Sequence, residues 1–364
     1  MTDKNKALFI VATQYDNLGD LIINKCLIDE LAIHTKVFLD LKNGNEKFTQ
    51  PLLDGKNVNN LHEEYGFSFR NTSCLKYFIS YKKEFNYLFK SPGPLIYKTN
   101  PSFKEKLRNK VLDLIYGFFS RHGDMSIIGS EVSLESNKLE NSLNELQKVK
   151  NLLLRSKDNV KYLRSLNLNN AAYIPDLCFL LRNKVNPNIE KDVIGISFRD
   201  LNDPKEDRLI NSTTSTLVDF YTKRGKKVVF FYQVERDRDY TFNLYKDFAD
   251  YPNVSFKEEC LEFDEINIYE NFRVVISNRL HVILLGFIHN TITFPILNDN
   301  FKTRKIPEIL ESIGYSQDSY DQLTESTLED TEVNYHKIVK KVNSINEVQL
   351  SLCKNKIAEI FGSK

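Results

Sequence analysis

The segment VVISNRLHVILLG, residues 274–286, sets an arginine and a histidine two positions apart between two apolar runs. Val274–Ile276 has the β-branched composition of a strand, and Val282–Ile288 is apolar and long enough for a buried helix. Arg279 and His281 therefore fall where a strand hands over to a helix. In α/β proteins ligands bind at the carboxyl ends of strands, and a helix start adds N–H groups and a positive dipole end that favour an anion. An arginine fork can bind carboxylate or phosphate through two parallel hydrogen bonds, and histidine can move a proton near neutral pH. The pair reads as aimed at an anion. The competing reading is a solvated arginine and a satisfied histidine at an ordinary helix start.

The elements around this pair follow an alternating pattern. Ala7–Ala12, Val37–Leu41, Met125–Ile128 and Ala171–Ile174 read as strands in the first half. Gly19–His34, with Ile23, Leu27 and Leu31 on one stripe, and Leu139–Leu154 read as helices. A Pro and Asn cluster at Asn183–Asn188 marks a domain boundary. Beyond it, Val193–Phe198, Lys227–Tyr232, Val254–Phe256, Val274–Ile276 and Thr293–Leu297 read as strands, and Val333–Phe361 as one or two amphipathic helices. The expected architecture is α/β, two Rossmann-like domains facing a cleft. The first spans 1–185, the second 190–335, and a helical tail 336–364.

Composition bounds the function. At 364 residues the chain suits about two domains, and 41% apolar with 27% charged residues is an ordinary globular balance. A formal net charge of +1 gives no sign of a nucleic-acid binder. Cys26, Cys74, Cys178, Cys260 and Cys353 are scattered without a CxxC pair, which argues against a disulfide framework or a thiolate zinc site. The only DxD pair, Asp237 and Asp239 in ERDRD, reads as a solvated turn, so no metal is expected. Ala7–Thr13 is too short for a signal h-region, and no run reaches the roughly 18 apolar residues of a spanning helix. The expectation is a soluble cytoplasmic protein. Lys76–Lys110 holds nine basic and two acidic residues among Phe78, Tyr81, Phe89 and Phe103, a candidate peripheral contact with the inner face of a membrane.

Three blocks in order, NLGDLIINKCLIDELA, LLLRSKDNVKYLRSLNL followed by IPDLCFLL, and ISNRLHVILLG, resemble the polysaccharide pyruvyl transferase family. The resemblance implies a GT-B-like fold and transfer of the enolpyruvyl unit of phosphoenolpyruvate to a saccharide, lipid-linked or not, as a cyclic ketal in cell-surface or exopolysaccharide biosynthesis. No cofactor is implied beyond phosphoenolpyruvate as donor substrate. Arg279, Leu280 and His281 match the family's Arg-Leu-His element, with His281 as the proton-transfer group and Arg279 stabilising charge on the departing phosphate. Arg155 matches an arginine in an Arg-Asp-x-x-Ser segment that here reads RSKDN, with Ser156 and Asn159 at the changed positions. Lys302 matches a basic residue past the Pro295 strand and is a third candidate cation. Asn17, Gly19 and Asp20 match an Asn-x-Gly-Asp turn. With Arg199 and Gln233, both at strand ends, Asn17 and Asp20 are candidates for the acceptor sugar, although capping of the following helix would explain the turn as well. A sugar-nucleotide glycosyltransferase and a non-catalytic saccharide or partner binder are the alternative readings.

Overall fold

The computed structural model describes residues 5–41, 44–69, 76, 80–81, 83–95, 103–132, 139–184, 191–297, 305–315 and 323–362. These form two compact units. One comprises the start of the chain to Tyr15, Asp20–Leu177 and Leu352 onward; the other comprises Asp16–Gly19 and Cys178–Ser351. The break thus falls after Leu177 rather than near residue 185, and the expected tail is shared. It is one long helix, Tyr335–Gly362, preceded by a short one, Glu325–Val333.

The first unit is built on an eight-stranded sheet whose pairings are all parallel. Its strands are β1 (Lys6–Ile10), β2 (Lys36–Asp40), β3 (Val58–Asn60), β4 (Tyr87–Lys90), β5 (Gly93–Leu95), β6 (Asp124–Val132), β7 (Asn151–Leu154) and β8 (Ala171–Tyr173). They lie in the order β3-β2-β1-β4-β6-β7-β8, with β5 also on β6. Parallel sheets are covered on both faces, so their strands are continuous apolar runs. Leu8, Phe38, Leu88, Ile127 and Leu152 accordingly share one core with Phe67, Ile115 and Phe119. One expected helix is cut short. Leu139–Gln147 is helical, but Asn151–Leu154 is β7, its three leucines buried in the sheet.

The second unit carries a five-stranded parallel sheet of β9 (Val193–Ser197), β10 (Lys227–Phe230), β11 (Val254–Phe256), β12 (Phe272–Ser277) and β13 (Ile292–Pro295). All five expected strands are present. Their order is β11-β10-β9-β12-β13. The chain winds outward from β9 to β11 and then returns to the other side of β9 with β12. That reversal is a topological switch point, where open α/β sheets leave a crevice at their carboxyl edge. Ile194, Ile196, Val228, Phe230, Val274 and Ile276 pack with Leu217, Val218 and Tyr221 beneath it.

Candidate functional site

Arg279 and His281 sit at the switch point of the second unit. Arg279 is the N-cap residue of the helix Leu280–Ile288, which starts directly after β12, and its side chain makes no cap hydrogen bond. The turn is locked from below: Ser277 Oγ donates to the Ser197 carbonyl at 2.6 Å and accepts the Arg279 N–H at 2.9 Å. Asn278, fully buried, clamps the neighbouring strand end, accepting the Arg199 N–H at 2.9 Å and donating to the Arg199 carbonyl at 3.0 Å. Two arginines thus leave adjacent strands at the carboxyl edge on a backbone fixed by two small polar side chains.

Two buried carboxylates, Asp237 and Glu206, act on them. Asp237, from the turn after β10, is 3% exposed and forms an ion pair with Arg279, accepting a hydrogen bond from Nη2. Burial pushes the Asp237 carboxyl above its ordinary value, against the pull of Arg279 and, more weakly, of Arg236 and Arg199. Arg199 is driven down to about 10, first by burial and then by the neighbouring Arg279 charge. It remains cationic at neutral pH. The guanidiniums of Arg199, Arg236 and Arg279 and the buried carboxylates of Asp237 and Glu206 lie within one another's field beside a helix start, an arginine-rich setting that suits an anion. Asp237 corrects the expectation of a solvated ERDRD turn. Asp239 is on the surface as expected, but the residue two positions before it points inward to the arginine.

His281 lies in the first turn of the same helix, half-buried. A side chain at Gly19 would overlap its imidazole, since a Cβ there would stand 2.1 Å from Nδ1. His289 at the other end of the helix is buried at 5% exposure, not on the surface. It stacks on Tyr269 and places Nδ1 2.8 Å from the Leu285 carbonyl, a structural role.

Arg155 follows β7 in the first unit and is 1% exposed. Its Nη2 donates to Glu131 Oε2 at 2.9 Å and its Nη1 to Asp176 Oδ2 at 3.3 Å. Burial alone would lower its pKa; the two carboxylates outweigh this and raise it. The expectation was a side chain that grips phosphoenolpyruvate. The structure instead buries the guanidinium between two protein carboxylates, so an incoming anion would have to displace one of them. Glu131, more open than either partner, is placed by a bulge in β6 where the register shifts at Gly129, φ +70°. The altered motif positions have local work. Ser156 caps the helix Lys157–Ser165, and Asn159 bonds both the N–H and the carbonyl of Val132 at 2.9 and 2.8 Å.

The acceptor candidates are mostly committed elsewhere. Asn17 accepts the Gly19 N–H at 3.0 Å at the helix start, whereas Asp20 accepts from Thr13 Oγ1 at 2.7 Å in the preceding loop. Gln233 is 2% exposed, its amide donating to Tyr269 Oη at 2.8 Å. Lys302 lies outside the described residues, as do large parts of Lys76–Lys110. Among the described residues there is no cluster of three or more metal-ligating side chains. No helix there is long and apolar enough to cross a membrane.

Residues 131–300 match the model of the polysaccharide pyruvyl transferase family, a segment that includes Arg155, Arg199, Asp237, Arg279 and His281. No curated protein matches the sequence. Among solved structures the chain resembles a UDP-GlcNAc 2-epimerase from Neisseria meningitidis with a TM-score of 0.60 at 11% identity, over 99% of this chain and 100% of that one. A putative UDP-N-acetylglucosamine 2-epimerase from Listeria monocytogenes gives 0.61 at 11% identity, over 99% and 96%. An Anabaena protein in complex with UDP and glucose gives 0.55 at 11% identity, over 99% and 100%. At this identity the likeness establishes a GT-B-like fold of two Rossmann-like domains and nothing of the chemistry.

Proposed function

We propose, from the match of residues 131–300 to the polysaccharide pyruvyl transferases, that this protein transfers the enolpyruvyl group of phosphoenolpyruvate to a saccharide. The observation that carries the reading is the cluster at the switch point, where Arg199 and Arg279 come together at the carboxyl ends of adjacent strands beside a helix start that bears His281. Phosphoenolpyruvate holds a carboxylate and a phosphate on one small carbon frame, so its recognition calls for convergent cations of this kind. In the reaction a proton adds to the methylene carbon and a sugar hydroxyl forms a C–O bond at the adjacent carbon. The C–O bond to phosphate then breaks, and a second hydroxyl closes the cyclic ketal. Of the two hydroxyl protons lost, one is balanced by the new methyl group and one leaves with phosphate.

His281 is the group proposed to pass the proton, and Arg279 with Arg199 the pair that takes up charge as phosphate departs. Arg155 has a supporting part in this reading, fixing Glu131 rather than binding the donor. The acceptor is a saccharide, and a lipid-linked form would suit the basic Lys76–Lys110 stretch. The test is ligand-dependent melting followed by product analysis. Phosphoenolpyruvate should raise the melting temperature, UDP-sugars should not, and α- and β-linked hexosides should yield free phosphate with a ketal product of the corresponding mass. Stabilisation by UDP-sugars alone would replace this reading with a glycosyltransferase.

A further inference from the structure

We infer that Gly19 is a positioning residue for His281: the turn Asp16–Gly19 is the seat on which the imidazole rests, and only a glycine leaves room for the ring. The inference rests on the proposed role of His281 for its catalytic consequence, but not for the contact itself.

Although early in the chain, Asp16–Gly19 belongs to the second unit. It is held there at three successive residues. The Leu18 N–H donates to the Gln233 carbonyl at 3.4 Å, Asn17 forms an antiparallel bridge with Val234, and Asp16 lies 3.6 Å from the Arg236 guanidinium. Gln233 is itself fixed by its bond to Tyr269, so the anchor of the turn is buried and rigid. Within the turn, Asn17 Oδ1 takes the Gly19 N–H at 3.0 Å and sets the direction of the backbone.

A Cβ built on Gly19 would stand 2.1 Å from Nδ1, 2.5 Å from Cγ and 2.7 Å from Cβ of His281. All three approaches are far inside van der Waals contact. Two involve atoms close to the backbone of a helix that Ser277 and Asn278 already hold, so a small torsion of the ring tip cannot relieve them. The glycine is not there for its own backbone. Its φ lies outside the left-handed region, and it stands in the first turn of the helix Leu18–His34, where alanine would be the better helix former. Glycine at this place works against helix propensity, and the ring is what it accommodates. The turn and the Arg-Leu-His element are therefore one device, although about 260 residues of sequence separate them.

The experiment is a double-mutant cycle on the full chain with Gly19→Ala, His281→Ala and both together. Melting temperature without any ligand reads the contact. Gly19→Ala should melt several degrees lower in the wild-type background and lose markedly less in the His281→Ala background, where the approaches to Nδ1 and Cγ are gone and only the one to Cβ at 2.7 Å stays. Should Gly19→Ala alone fail to fold, recovery of a folded protein on adding His281→Ala supports the same conclusion. Equal losses in both backgrounds, or no loss in either, overturn it. Two further readouts separate positioning from a merely structural effect. Gly19→Ala should lower turnover about 100-fold with phosphoenolpyruvate affinity held, the scale expected for a catalytic group displaced by about 1 Å. It should also move the His281 imidazole resonance, and an unmoved resonance overturns the inference. Because the melting cycle uses no substrate, absence of pyruvyl transfer would sink the proposed function and leave the contact standing.

Discussion

The side chain that sequence reasoning missed is the one that decides how Arg279 behaves. In ERDRD nothing local distinguishes Asp237 from its charged neighbours. Its inward orientation is set by the turn after β10, and its partner lies 42 residues further on. The same holds for Arg155, whose carboxylates are 24 residues before it and 21 after. Ion partners at such separations are fixed by strand order, which spacing alone does not contain. Asp237→Ala would strand a nearly buried guanidinium, so it should cost about 3–5 kcal/mol in chemical denaturation. A loss below about 1 kcal/mol would mean the arginine finds water or another partner. Arg279→Lys should act differently, keeping the charge but losing the fork. Phosphoenolpyruvate affinity should fall while turnover persists, and unchanged affinity would take Arg279 out of the site.

At the scale of elements, the strands were legible wherever both faces are buried, because a parallel strand then shows as a compact apolar run. Val193–Ser197 and Lys227–Phe230 are of this kind. Val58–Asn60 is only partly buried, a short edge strand rich in Asn with no apolar run to announce it. Asn151–Leu154 was absorbed into the preceding helix because a four-residue apolar run fits either period. The strand that delivers Arg279 has a support that sequence does not announce. Near its start Arg273 donates to both oxygens of Glu332 in the helix Glu325–Val333, at 2.7–3.1 Å, and Tyr221 Oη donates to the same carboxylate at 2.9 Å. Burial raises the Glu332 pKa, but the hydrogen bonds from Arg273 and Tyr221 outweigh it and hold it below the ordinary value of 4.5. With a lowered folded-state pKa, the stabilisation is present above the unfolded value and lost as pH falls through the folded one. Glu332→Gln should therefore melt below wild type at pH 7, and the gap should close as both are acidified below about pH 4. A gap that stays constant with pH would assign the loss to packing.

For the whole molecule, the informative fact is that neither compact unit is one continuous stretch of chain. Asp16–Gly19 is grouped with residues after 177, and Leu352 onward is grouped with residues before it. The helix Tyr335–Gly362 therefore contributes to both cores in succession. Asn346, fully buried, donates to the Phe287 carbonyl at 2.8 Å at the end of the Arg-Leu-His helix. Further on, Cys353 and Ile357 are fully buried, and Phe361 packs against His34 and Tyr87. The periodicity of this tail shows that it is amphipathic, but not that its partner changes along its length. That change has a measurable consequence. Ile357→Ala removes a fully buried side chain from the first unit's core and should cost about 2–5 kcal/mol. Val348→Ala, on the same helix but 61% exposed, should be close to neutral. Hydrogen exchange on the Ile357 variant should show lost protection in β1 and β4, the strands that lie beside Phe361's partners, with protection in β9 and β12 retained. Uniform loss across both sheets would show instead that the two units unfold as one cooperative body, and the segment after Leu352 would then stabilise the entire chain.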